Sequence, residues 1–167
     1  ALPILNEKRY KNPKESHKYL LKILNKTILK TKNYKILDIG CSNGELIYNL
    51  EKKFHNFKIT GVDIRSELIR KAKKNVSNKV DFKKIDFNSS IKPFGKYDII
   101  ICSGVISIFD DLKNFAKNIK KCSNKNTIVF LFESFNEWDY DVIVKYKDVH
   151  KINKFQSGWN VWSLKTL

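Results

Sequence analysis

The sequence is short of the residues that would mark several kinds of protein. Cysteine occurs three times in 167 residues, as Cys41, Cys102 and Cys122. An odd number at such wide spacing excludes a disulfide framework and a Cys-x-x-Cys zinc site, and it points to a reducing, cytoplasmic setting. Methionine is absent, position 1 included, so the sequence is not expected to be a complete raw translation product. Long apolar runs are missing too. The longest uncharged stretch, Ile99 to Phe109, contains Ser103 and Gly104 and falls well short of the roughly 20 residues of a membrane span. No basic start, apolar run and small-residue cleavage site marks a signal peptide.

Arginine is scarce as well. The chain has 33 basic and 17 acidic residues, for a net charge of +16, yet only Arg9, Arg65 and Arg70 are arginines. Such a charge is one footprint of a nucleic-acid binder. Recognition of bases and phosphates favours the planar fork of arginine, however, and the lysines are spread over every segment. Asn and Ile are also abundant, as A/T-rich codons would give. A solvated lysine-rich surface therefore accounts for most of the charge. Nucleic-acid binding and attraction to anionic substrates stay open as lesser alternatives.

What is present is enough for one folded domain. Residues of hydrophobic type make up 42% of the chain, which removes a disordered-tail reading. No internal repeat or low-complexity linker divides it. After a mixed arm, ALPILNEKRYKN, Pro13 precedes a helical pattern with His17, Leu20, Leu21, Leu24 and Ile28 on one face. Short apolar runs at 33–39, 58–62, 80–85, 97–102 and 127–132 read as strands. Between them, Ile47, Leu50 and Phe54 predict one helix. Leu68, Ile69, Ala72 and Val76 predict a second, with Ser66 as its N-cap, and Leu112, Phe115, Ala116 and Ile119 a third. An irregular link, 88–96, joins the third and fourth strands. This order predicts an α/β fold: a doubly wound, mostly parallel sheet with helices on both faces. Ligands of such sheets bind beyond the carboxyl ends of the strands.

The residues at those ends are informative. The first strand closes with Asp38-Ile39-Gly40-Cys41-Ser42-Asn43-Gly44-Glu45. Gly40 permits a tight turn and close approach of a ligand, and Gly44 lets the next helix start close to the sheet. The loop does not match the dinucleotide pattern G-x-G-x-x-G, because Ser42 and Glu45 stand where its second and third glycines belong. At the end of the second strand, the Asp63 carboxylate can accept hydrogen bonds from a ribose diol. At the end of the third, Asp86 beside Phe87 can bind an exocyclic amine and cover a purine face. Ser103 and Gly104, after the fourth, would pass near the ligand's centre.

These segments, with Tyr97-Asp98-Ile99-Ile100, resemble the successive motifs of class I S-adenosylmethionine-dependent methyltransferases over roughly residues 33–133. The resemblance implies a Rossmann-like core with strand order 3-2-1-4-5. It assigns Asp38, Gly40, Cys41, Ser42 and Gly44 to the methionyl part of the cofactor and Asp63 to the ribose. Asp86 would take the adenine amine, Ile64 and Phe87 would flank the ring, and Ser103, Gly104 and Val105 would line the sulfonium. Residues 1–32 become an amino-terminal arm and helix, 33–133 the cofactor-binding core, and 134–167 an acceptor-side segment. Two further strands usual in the family are expected to be missing after residue 133.

Ser107 and Phe109 stand where many small-molecule members carry a His, so no histidine base is transferred. The catalytic residue is therefore left unassigned, and no metal ligand set is found. Tyr10, Ser107, Glu133 and Trp138 are the acceptor-side candidates. Glu133, Tyr10 and His150 are the candidate bases, while His17 and His55 read as structural or solvated residues in helices. Trp138, Tyr140, Trp159 and Trp162 form either a substrate pocket or core. Tyr140 to Val149 reads as a strand or an extended lid, and Ser163 to Leu167 as the start of a helix. Cys41 and Cys102 read as small buried residues. The expected function is methyl transfer from S-adenosylmethionine to a small-molecule acceptor, such as a metabolite or a surface-sugar precursor. An RNA methyltransferase and a non-enzymatic scaffold of the same fold are the alternatives.

Overall fold

The computed structural model describes residues 7–28, 32–150 and 155–167; the first six residues of the expected arm lie outside them. Strands β1 (Tyr34–Ile39), β2 (Phe57–Asp63), β3 (Asp81–Lys84), β4 (Tyr97–Ser103) and β5 (Ser123–Phe132) alternate with helices. These are α1 (Glu15–Thr27), α2 (Glu45–Lys53), α3 (Ser66–Asn75) and α4 (Lys113–Cys122). The strands form one parallel sheet ordered β3-β2-β1-β4-β5. Nothing regular interrupts 88–96 between β3 and β4. Among the described residues no helix is long and apolar enough to cross a membrane.

The sheet is buried on both faces, which explains the unbroken apolar runs of its central strands. Side chains alternate between two cores, as the two-residue period of a strand requires. Ile36 of β1 and Ile99 and Ile101 of β4 pack under α1, α2 and α3 with Leu24, Leu50 and Ala72. Leu37, Ile39, Ile100 and Cys102 point the other way, towards Phe115 and Cys122 of α4. β5 is one of the two edge strands, with β3 at the other side, and it carries half-exposed apolar side chains, among them Ile128, Val129 and Phe132.

Several local expectations are corrected. Arg65, not Ser66, occupies the N-cap position of α3, and its N–H is taken by Asp63 Oδ1 at 2.9 Å. On α4 it is Asn118 that turns inward, while Ala116 is exposed. The Asn118 amide can be buried because it donates to the carbonyls of Phe87 (2.9 Å) and Ser89 (2.6 Å). His55 lies in a turn beyond α2, outside any helix.

Among the described residues after β5, the strands are two residues long. β6 (Phe135–Asn136) pairs with β9 (Trp162–Ser163), and β7 (Lys145–Tyr146) with β8 (Gln156–Ser157). The expected helix at 163–167 is a strand end and a turn. Asp141 takes the Ser163 N–H at 2.7 Å and the Thr166 hydroxyl at 2.9 Å, which fixes this turn before a helix can nucleate. The 140–149 segment contributes one bridge, Val142 to Val161, and then β7.

Asn118→Ala is expected to lower unfolding free energy by about 1–3 kcal/mol, since the buried Phe87 carbonyl and the part-buried Ser89 carbonyl lose their donor. Denaturant titration measures it.

Candidate functional site

The loop from Gly40 to Gly44 is wound tightly. Gly40, Ser42 and Gly44 have φ of 71°, 52° and 86°. The N–H groups of Gly40 and Cys41 both donate to the Val62 carbonyl, at 2.8 and 2.9 Å. A Cβ on Gly40 would sit 2.2 Å from Val105 Cγ2, and one on Gly44 would sit 2.8 Å from Val76 Cγ2. Glycine at these two positions therefore answers both backbone conformation and space.

Asp63 ties this loop to the second strand. Its Oδ2 accepts from the Ser42 N–H at 3.0 Å, while Oδ1 takes Arg65. Each carboxylate oxygen keeps a further lone pair. Asp38 lies just behind, 3% exposed. Burial pushes its carboxyl up to about 8, and the Asp63 charge adds to the effect. Burial, then the two carboxylates, also raise the Cys41 thiol far above its ordinary value. Cys41, Cys102 and Cys122 are all free and buried.

At the third strand, Asp86 Oδ1 accepts from the Asn88 N–H at 3.0 Å. At the fourth, Gly104 takes φ 72° and its N–H donates to the Phe132 carbonyl at 3.1 Å. Glu133 then accepts from the N–H groups of Val105 and Ile106, the latter at 2.9 Å. Burial raises the Glu133 carboxyl, and these hydrogen bonds partly offset the rise.

The strand ends open on a cavity of about 610 Å³, within the usual range of roughly 300–1,000 Å³ for small-ligand sites. Eleven of the twelve residues predicted for the cofactor line it: Asp38, Gly40, Cys41, Ser42, Asp63, Ile64, Asp86, Phe87, Ser103, Gly104 and Val105; Gly44 alone stays behind the loop.

The acceptor-side candidates divide. Ser107 lines the cavity; Tyr10, Glu133 and Trp138 do not. The Tyr10 hydroxyl donates to the Asn43 carbonyl at 2.5 Å and supports the loop from behind. Glu133 is spent on the Val105–Ile106 backbone. Trp138 stacks on Tyr140, with ring centroids 5.3 Å apart. Trp162 is core, its indole N–H on the Ile106 carbonyl at 2.9 Å. Of the four aromatics grouped in the sequence, Trp159 alone reaches the cavity wall. His150 sits exposed in a turn away from the wall.

His17 is the wall residue the sequence undervalued. It is 8% exposed, and its Nδ1 has no hydrogen-bond partner. Ser42 Oγ and Asn43 Oδ1 are unpartnered in the same way, and all three residues line one end of the cavity. Buried polar atoms without partners are uncommon, so three together mark a place for a polar ligand. The only signal available was the helical phase that puts His17 on the inner face of α1 with Leu21 and Leu24.

The electrostatics agree with a particular ligand. Asp38, Glu45, Asp63 and Asp86 line the cavity against Lys14 and Arg65, inside a chain of charge +16. An acidic pocket in a basic protein suits a cation. A sulfonium with an ammonium-bearing tail, a ribose and a purine meets carboxylates, orphaned polar atoms and the apolar Ile64 and Phe87. The residues present fit S-adenosylmethionine.

Fold and site define a Rossmann-like protein of the class that binds this cofactor. The family model described as "Methyltransferase domain" matches residues 30–165, and the chain belongs to that family, whose methyl donor is S-adenosylmethionine. It is 31% identical over 105 residues to the malonyl-[acyl-carrier protein] O-methyltransferase of Halalkalibacterium halodurans, covering 60% of this chain and 38% of that protein. It is 28% identical over 124 residues to the tRNA U34 carboxymethyltransferase of Campylobacter jejuni, covering 70% and 41%. Among solved structures, PKMT2 from Rickettsia typhi in complex with AdoHcy matches with a TM-score of 0.55 and 26% identity, over 66% of this chain and 21% of that one. The chain spans less than half the length of the curated relatives it matches.

Burial, with Lys14 and Arg9 nearby, holds the His17 imidazole down to about 4, from an ordinary 6.5. Between these values the unfolded chain binds a proton that the folded chain refuses. Stability is therefore full above about pH 6.5 and declines as pH falls towards 4, by on the order of 3 kcal/mol. Denaturant titrations across that window should show the decline flattened in His17→Gln.

Proposed function

We propose that this chain transfers a methyl group from S-adenosylmethionine to a small-molecule acceptor in the cytoplasm. One observation carries the choice of acceptor. Among the described residues, the cavity wall beyond Gly104 is made by Ser107, Ile108, Phe109, Phe132, Tyr146 and Trp159, with no lysine, arginine or carboxylate. A nucleic-acid or acidic acceptor would need cations there. The family relatives act on a carrier-bound acid and on a tRNA by their names, so family membership leaves the acceptor open and the wall supports the small-molecule reading. Three buried, unbonded cysteines support the compartment.

In this reading Asp63 binds the ribose hydroxyls, Asp86 the adenine amine, and Ile64 and Phe87 flank the ring. Asp38 and the 40–44 loop hold the methionyl part, with His17, Ser42 and Asn43 supplying the polar atoms that lack partners. Bound there, the cofactor supplies an electrophilic methyl: the acceptor's lone pair forms the new bond and the carbon–sulfur pair returns to sulfur. Ser103, Gly104 and Val105 shape the passage between the two halves of the cavity, and Glu133 fixes their backbone. The work of the chain is positioning and exclusion of water. Among the described residues the acceptor end offers hydroxyls, Ser107 and Tyr146, and no imidazole or carboxylate. The fitting nucleophile is therefore a neutral nitrogen or an already acidic hydroxyl, which releases its proton to water.

Calorimetric titration with S-adenosylhomocysteine tests the assignment. Asp63→Ala should weaken binding about 10- to 100-fold through the charged hydrogen bonds lost, and Asp63→Asn by less. Unchanged affinity in both would refute the ribose role. Turnover of RNA but of no small acceptor in a methylation assay would refute the acceptor class.

A further inference from the structure

The acceptor end of the cavity is roofed by the hairpin of β7 and β8, and the residue it presents there is in an unusual state. Trp159 is 70% exposed and lines the cavity. Its backbone takes φ 60°, a left-handed conformation that is strained for a bulky residue and that Asn or Gly would adopt more readily. A large apolar side chain held out to solvent by a strained backbone costs stability twice. Such features persist where a ligand uses them.

The surroundings hold the indole in place. Asn160, next in the chain, is 1% exposed, and its backbone N–H and both ends of its side-chain amide are hydrogen-bonded. Its N–H donates to the Ser107 carbonyl at 2.9 Å, its side-chain amide to the Phe109 carbonyl at 2.6 Å, and its Oδ1 accepts the Val144 N–H at 2.8 Å. Asp110 accepts from both Lys145 Nζ and the Ser157 hydroxyl, which pins the hairpin to the same loop. On the other side of Trp159, Gly158 leaves room for the Tyr146 ring: a Cβ there would lie 3.0 Å from Tyr146 Cε1. Tyr146 and Trp159 meet at 5.0 Å between centroids and 47° between planes. The result is a rigid aromatic corner over an uncharged wall that carries Ile108 and Phe132.

We propose that the Tyr146–Trp159 corner is the acceptor's recognition surface and that it selects a flat, uncharged aromatic ring. The proposal rests on the methyltransferase reading above and narrows its acceptor. Preorganised aromatic faces reward planar ligands over puckered ones of equal area, because only a flat ring offers a stacking face, and a fixed corner pays little entropy on binding.

The test uses the chain saturated with S-adenosylhomocysteine. 1-Naphthol and 2-naphthol are titrated against their fully hydrogenated counterparts, neutral alcohols of similar size, by calorimetry and tryptophan fluorescence. The flat compounds should bind roughly tenfold tighter. Trp159→Asn should erase that preference while melting no lower than the parent, because asparagine accepts the left-handed backbone. Trp138→Asn, off the cavity, should keep the preference. Equal binding of flat and puckered compounds, or a preference that survives Trp159→Asn, overturns the proposal. Failure of S-adenosylhomocysteine to bind at all defeats the underlying reading, a separate result. A single-stranded RNA that displaces naphthol at lower concentration than free rings do would replace the small-molecule source with a nucleobase and overturn the acceptor proposed here.

Discussion

The site depends on backbone N–H groups at the strand ends being claimed by carboxylates. Asp63 takes Ser42 and Arg65, and so joins the end of β1 to the start of α3. Glu133 takes Val105 and Ile106, and so joins the end of β5 to the loop after β4. Loops at the ends of a parallel sheet have no ladder of their own, and their donors must be satisfied some other way. Here that need is met by side chains that also set the cavity's shape. Charge-assisted hydrogen bonds of this kind are stronger than neutral ones, which lets the first loop hold a non-glycine, Ser42, at positive φ.

The carboxylates that line the cavity, Asp38, Glu45, Asp63 and Asp86, give it a sign opposite to that of the whole chain. Most of the +16 charge is solvated at the surface, where interactions are screened over about 10 Å. Inside, Asp38 is too buried to ionise at no cost beside Asp63. A cation arriving there would restore the charged form that burial disfavours. The surface charge and the site charge thus serve different ends, solubility in one case and ligand binding in the other, and the net figure describes only the first.

The core and the cavity wall at the ends of β1 to β3 were legible because their signals are local. Parallel strands buried on both faces read as apolar runs, and each run ends in its own Asp or Gly, so Asp38, Asp63 and Asp86 could be placed without knowing what they touch. The wall beyond Gly104 was not legible, for the opposite reason. Strands of two residues carry no period, and the contacts that shape them are long-range: Asn160 is 51 residues from Phe109, and Trp162 is 56 from Ile106. Trp138 and Trp159 look alike in the sequence; only the packing of Asn160 sends one of them to the cavity. Glu133 was found at the right strand end, but nothing local says that its oxygens face backbone. His17 sat in full view on an apolar helical face, where an imidazole without a partner cannot be told from a satisfied one.

The edge position of β5 has a consequence for how the sheet exchanges with solvent. In a parallel pair, alternate residues of an edge strand turn their N–H groups towards the neighbour, and the others face outward. β1 is bonded on both sides, by β2 and β4, whereas β5 is bonded by β4 alone. Deuterium uptake along β5 should therefore alternate, fast and slow with a period of two, while uptake along β1 stays uniformly slow until the domain opens as a whole. The sheet carries in its amide exchange rates a map of where its hydrogen bonding ends.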